Sequence, residues 1–273
     1  MQFLFEVYNR FGYILRILIP FVTFVIGFII SKLKHYKSNG KIENVLSLKK
    51  DDSVIIMPIW DGRGIVREVN PARKCIIYEE SFILPEILTT ISDIFKNKFS
   101  AKFEGLVDGT TLLEPSKNHF YFWGYIPHYN VYRMLQKYCS NVKFSCEEKY
   151  FENNERKNVL YPCLHEDNLR HIKIGSFVFT YDCVEEGYII LIKLTNKVLQ
   201  NDERGTVHIC FGNSATLTLS SAQCFNKYRV ELHKKLKKRK TCYFAIMKCY
   251  KNGEIDFTSF IDFTDQVFGN YVG

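Results

Sequence analysis

The segment from Phe11 to Ile30, FGYILRILIPFVTFVIGFII, constrains this chain more than any other. Roughly 20 mostly apolar residues suffice to cross a bilayer as a helix. From Ile17 to Ile30 the segment carries no charge, and Arg16 stands near one end, where its long side chain can reach the headgroups. Pro20 and Gly27 weaken a soluble helix but are tolerated in lipid. A cleaved signal peptide has a shorter apolar core, about 7–15 residues, closed by small residues. Ser31-Lys32-Leu33-Lys34 supplies no such closure. The sequence therefore predicts a retained transmembrane anchor over 1–33, a basic juxtamembrane linker over 34–50 and an α/β domain over 51–273.

The flanking charge sets the expected orientation. Lys32, Lys34, Lys37 and Lys41 follow the apolar run, against Arg10 and Arg16 on its N-terminal side. The positive-inside rule then places the C-terminal domain in the cytoplasm, behind a single pass of the inner membrane. Nine irregularly spaced cysteines form no complete disulfide framework and suit a reducing compartment. The lipid bilayer is thus the first expected partner. A lone helix cannot line a pore, so any channel requires a homo-oligomer. Gly27 and Ser31 have the small-xxx-small spacing that permits helix contact.

About 220 residues remain beyond the linker, enough for one large domain or two small ones. The whole chain has 23 Phe and 17 Tyr, most of them in that part, which gives it ample apolar surface to fold. The net charge of +8 is concentrated in the juxtamembrane lysines and in His233 to Lys240, HKKLKKRK. That run reads as the solvated end of a helix, whose carbonyl dipole favours cations. Lipid headgroups would also attract it. A single basic run without a binding module does not establish a nucleic-acid partner.

The apolar pattern predicts a first buried strand at Ser53 to Pro58 and a short strand at Cys75 to Tyr78. A helix is expected over Ser81 to Phe99, from the helical spacing of Phe82, Ile83, Ile87, Ile91, Ile94 and Phe95, with Pro85 in its first turn. Strands follow at Phe103 to Val107 and His119 to Tyr125, with a turn at Asp108-Gly109, and then a helix at Asn130 to Tyr138. Val142 to Asn158 reads as irregular. Ile172 to Tyr181, Gly187 to Leu194 and Thr206 to Phe211 read as strands, and Ser220 to Leu236 as a helix. Asn252-Gly253 between two apolar runs marks a hairpin of Thr241 to Tyr250 with Glu254 to Phe263. Alternating strands and helices argue for a layered α/β domain with a mixed sheet.

In such sheets ligands bind at the C-terminal ends of the strands. Three loops qualify. The first carries Asp61, Gly62, Arg63 and Gly64: glycines let backbone approach phosphate oxygens, and Arg63 can clamp them in a bidentate way. The second carries Gly124, His128 and Asn130, ahead of a helix start. The third carries Gly212, Asn213 and Ser214. Each also has a plain structural reading, as a turn or a helix cap. Glu79 and Glu80, with Asp61, are the carboxylates placed to act as nucleophile or base on a glycosidic carbon. Paired acids at a helix start equally serve its dipole. Cys163, His165 and His171 lack paired zinc spacing, and GxGxxG is absent because Arg67 stands where glycine is needed. No metal and no cofactor is expected.

The apolar-Pro end of the first strand, the carboxylates at the next helix and Gly124-x-x-Pro127-x-x-Asn130 together resemble a Rossmann-like group. It comprises the SLOG, nucleoside deoxyribosyltransferase-like and TIR-like folds. The resemblance covers roughly residues 53–140, with 206–236 as a further match. The chain departs from the group by Trp123-Gly124, where SLOG-type proteins have paired glycines. The resemblance implies binding or cleavage of a nucleotide-like small molecule. With an anchor attached, it implies a membrane effector of anti-phage defence. Two rivals stand beside that expectation: a membrane-tethered N-glycosidase or nucleotide hydrolase, and a membrane scaffold for a protein partner that docks near Lys237.

Overall fold

The computed structural model describes residues 2–47, 53–59, 78–95, 99–105, 117–123, 129–144, 170–181, 186–199, 205–212 and 214–269. They fall into two compact units, 1–41 and 42–273.

The first unit is the main part of helix α1 (Gln2–Leu46), with Pro20 inside it. Every residue from 19 to 34 is exposed, including Ile19, Phe21, Phe24 and Ile30 at 59%, 65%, 71% and 58%. A helix that is apolar on all sides lacks the polar face that water requires. Among the described residues no helix is long and apolar enough to cross a membrane. The side chains of residues 11–18 lie outside the described residues.

The second unit is built on a seven-stranded mixed sheet. Its strands are β1 (Ser53–Ile59), β2 (Phe99–Gly105), β3 (Asn118–Trp123), β7 (Glu186–Thr195), β8 (Thr206–Gly212), β9 (Cys242–Tyr250) and β10 (Ile255–Asp262), in the order β10-β9-β7-β8-β3-β1-β2. Strands β2, β1, β3 and β8 run parallel; β7, β9 and β10 extend the sheet antiparallel. A second, antiparallel sheet holds β4 (Val142–Phe144), β5 (Arg170–Ile174) and β6 (Phe177–Tyr181).

Both faces of the large sheet are covered, so its central strands are apolar on both sides. Phe120, Phe122, Leu191 and Cys210 point to one face. There they meet α2 (Tyr78–Phe95), α5 (Ala215–Lys227), α6 (Arg229–Leu236) and the end of α1 through Ile91, Phe225, Leu232 and Leu46. Tyr121, Ile190, Ile192 and Ile209 point to the other face. They meet α3 (Tyr129–Tyr138), the small sheet, α4 (Asn196–Leu199) and α7 (Thr264–Phe268) through Leu135, Ile172, Val198 and Phe268.

Several expectations are corrected. The stretch read as a linker is helical to Leu46, and Ile42, Val45 and Leu46 are buried. Tyr78 opens α2 instead of ending a strand; residues 75–77 lie outside the described residues. That helix stops at Phe95, and Phe99 already belongs to β2. Ile172 to Tyr181 is a hairpin, turned at Gly175, whose φ of 58° suits a residue without Cβ. Val142–Phe144 is a strand that pairs with β5. The helix expected over Ser220 to Leu236 is two, broken at Tyr228 (φ −114°, ψ 32°). The Asn252-Gly253 hairpin forms as expected: Gly253 has φ 84°, and its amide donates to the Tyr250 carbonyl at 2.8 Å.

Candidate functional site

Strand β1 pairs with β2 on one side and β3 on the other, so the chain reverses direction across the sheet at β1. This is a topological switch point, where the carboxyl ends of parallel strands leave a crevice between diverging loops. Ile56, Tyr121 and Ile209 are neighbours in register across β1, β3 and β8. The three loops singled out in the sequence therefore leave three adjacent strands at one edge. Because α2 joins β1 to parallel β2, its first turn, with Glu79 and Glu80, starts at that same edge.

The described residues reach this edge only in part. Asp61, Gly62, Arg63, Gly64, Gly124, His128 and Asn213 lie outside them, as do the side chains of Glu79, Glu80 and Asn130. Asn130 is the second residue of α3. Gly212 closes β8 and is packed hard against α5: a Cβ there would lie 2.2 Å from the Leu217 carbonyl carbon and from the Thr218 nitrogen. Ser214 is the N-cap of α5, its Oγ accepting from the Leu217 amide at 3.2 Å. The hydroxyls that follow are committed locally. Thr218 Oγ1 donates to the Ser214 carbonyl at 2.9 Å, and Ser220 Oγ to the Gly253 carbonyl at 3.0 Å. Among the described residues no cluster of three His, Cys, Asp or Glu is placed to hold a metal.

The described cysteines offer no activated nucleophile. Cys139, Cys210, Cys224, Cys242 and Cys249 are free and buried. Burial raises all five above the ordinary thiol value, Cys242 and Cys249 to about 11. A thiol so disfavoured as thiolate is a packing residue.

A polar cluster that the sequence reading did not single out lies at the opposite edge. Tyr243, Lys193, His208 and Phe120 are successive cross-strand neighbours on β9, β7, β8 and β3. Lys193 and His208 are fully buried. Lys193 Nζ donates to the carbonyls of Val45 and Arg239, at 3.1 and 2.8 Å, and to Ser47 Oγ at 3.1 Å. His208 Nε2 lies 2.9 Å from the Leu46 carbonyl and its ring stacks on Phe120 at 4.3 Å. Helix ends leave carbonyls without intrahelical partners, and cations there also satisfy the dipole. The two central strands thus cap the last turn of α1. The signal was a lone Lys in YIILIKLT and a lone His in VHICF: polar residues inside runs that otherwise read as buried strand.

Burial, with the Lys193 charge second, holds His208 well below its ordinary value; the Leu46 hydrogen bond opposes both. The neutral ring donates through Nε2, and Nδ1 has no hydrogen-bond partner among the described residues. The unfolded chain therefore takes up a proton near pH 6.5 before the native protein does, so stability falls as pH drops below that value. The slope is about 1.4 kcal/mol per pH unit while only the unfolded chain binds the proton. Urea unfolding between pH 7.5 and 5 should show this loss in the wild type and a flatter profile in His208→Gln.

No protein-family model, no curated protein and no solved structure matches the chain.

Proposed function

We propose that the chain is a membrane-anchored effector whose α/β domain binds a nucleotide-like ligand and signals to, or perturbs, the membrane, with anti-phage defence as its setting. The topology carries this reading. Three glycine-bearing loops, one with Arg63, leave adjacent parallel strands at a switch point. Such an edge recruits phosphate through backbone amides, helix N-termini and guanidinium. The anchor is supported by the exposed apolar residues from Ile19 to Leu33, continued in the sequence back to Phe11. The domain lies in the cytoplasm in this reading, and the effector acts as a homo-oligomer, since one helix cannot enclose a pore.

The test is mass spectrometry of the purified full chain after incubation with NAD, mononucleotides and cyclic oligonucleotides. An intact ligand retained by the wild type and lost from Arg63→Ala, with unfolding unchanged, is the expected result. Equal retention by both proteins overturns the site. Free base or cleaved phosphate would instead favour the N-glycosidase or nucleotide hydrolase. Turnover should then vanish in Glu79→Gln or Glu80→Gln, whose positions open α2 at the same edge.

A further inference from the structure

The edge of the domain where α1 ends gathers three features that the ligand-binding reading leaves unused. The first is the basic run. Leu236 anchors the end of α6 in the core, while Lys234, Lys237, Lys238 and Lys240 are exposed. The second is the tie that fixes this run in place. Arg239 bonds Asp265 through both terminal nitrogens at 2.7 Å and Asp262 through Nε at 2.8 Å, and its carbonyl accepts from Lys193, which also holds Val45 and Ser47. Arg239 pairs with both acids and offsets one of their two charges, and among the described residues no ion pair engages Lys234, Lys237, Lys238 or Lys240. The third is an apolar fingertip. At the turn of the β5–β6 hairpin, Phe177 and Val178 are 49% and 56% exposed, and Val178 pairs with the exposed Lys173. Phe177 packs edge-on against Phe263, at 5.1 Å between ring centroids, and Phe263 directly follows Asp262.

We propose that this edge is an interfacial docking surface for an anionic lipid bilayer: Phe177 and Val178 enter the headgroup boundary while Lys173 and the lysines of 234–240 engage the lipid phosphates. The chemistry selects the partner. Apolar residues flanked by lysines suit the boundary between headgroups and acyl chains, where each part finds its own solvent. A nucleic-acid groove needs the cations but gains little from an exposed valine. Anionic headgroups attract polybasic segments within a Debye length of the surface. The inference rests on the proposed anchoring by α1, which brings the domain to a membrane.

The test uses the full chain with lipid nanodiscs, either phosphatidylcholine alone or phosphatidylcholine with phosphatidylglycerol. Amine acylation read by mass spectrometry reports each lysine, and co-elution with the neutral discs reports the anchor separately. Acylation of Lys234, Lys237, Lys238 and Lys240 should fall about fivefold on anionic discs, the fold-change equivalent to the attraction of one cation near the headgroups. Val178→Asp, at an exposed position, should return it toward the neutral-disc level with unchanged unfolding. Equal acylation on both discs, or full protection in Val178→Asp, overturns the docking surface. Protection by single-stranded RNA without protection by anionic discs also overturns it and assigns the run to nucleic acid. Failure to co-elute with neutral discs defeats the anchor alone; protection by anionic discs would still support the docking surface.

Discussion

Alanine at Gly212 should destabilise the protein by about 3 kcal/mol or more, at the upper end of what overpacking costs. The added Cβ would meet the Leu217 carbonyl carbon and the Thr218 nitrogen at 2.2 Å and the Leu217 oxygen at 2.5 Å. These are backbone atoms of the first turn of α5, so no side-chain rotation makes room. Either β8 or α5 must move. Moving α5 strains the Ser214 cap and the bonds from Thr218 Oγ1 to the carbonyls of Gly212 and Ser214, at 3.3 and 2.9 Å. It also lifts Ala222, Cys224 and Phe225 from the core. Urea unfolding of the full chain reads the loss. A wild-type midpoint for Gly212→Ala would show that strand and helix do not approach so closely. The same substitution should shift the third candidate loop and weaken any ligand held there.

Removal of the Lys193 ammonium should have an effect of similar size. Lys193→Ala leaves the Val45 and Arg239 carbonyls without their donor and opens a cavity in a fully buried position. Together these should cost about 3–5 kcal/mol. Lys193→Met restores most of the volume without the charge and should cost less, about 1–2 kcal/mol, since it also avoids desolvating a cation. Burial lowers Lys193 to about 8, from an ordinary value of 10.5. Between those values the unfolded chain binds more protons than the native one, so the wild type should gain stability with rising pH across that window. Lys193→Met should lack that gain. In both variants amide exchange at 42–47 should accelerate, because the last turn of α1 loses its cap; unchanged exchange there would rule out the capping role.

Much of the fold was legible where local chemistry agrees with the tertiary outcome. The Asn252-Gly253 turn forms because glycine supplies the positive φ that the hairpin demands. The period of Ile87, Ile91 and Ile94 survives because one face of α2 meets the sheet. The misread elements are those decided by partners far along the chain. Nothing local marks the break at Tyr228, whose hydroxyl bonds the Ile255 carbonyl and whose ring stacks on Phe257. The charged stretch before Leu46 reads as a linker until Lys193 and His208 supply its cap from β7 and β8. At the candidate site, strand ends and helix starts were readable from glycine and apolar runs. The role of Gly212 was not, since the backbone of α5 that crowds it is a tertiary neighbour.

The capped end of α1 also sets an order of events during synthesis. Val45 and Leu46 bond residues 148 and 162 positions later in the chain. At about 5–20 residues per second, roughly seven to thirty seconds pass before those partners are synthesised. Over that interval Ile42, Val45 and Leu46, each buried in the finished protein, lack the two central strands β7 and β8 that complete their cover and cap the helix end. A nascent chain halted before Lys193 therefore carries an apolar, uncapped helix end, whatever else it has folded, and is an early target for chaperones and proteases.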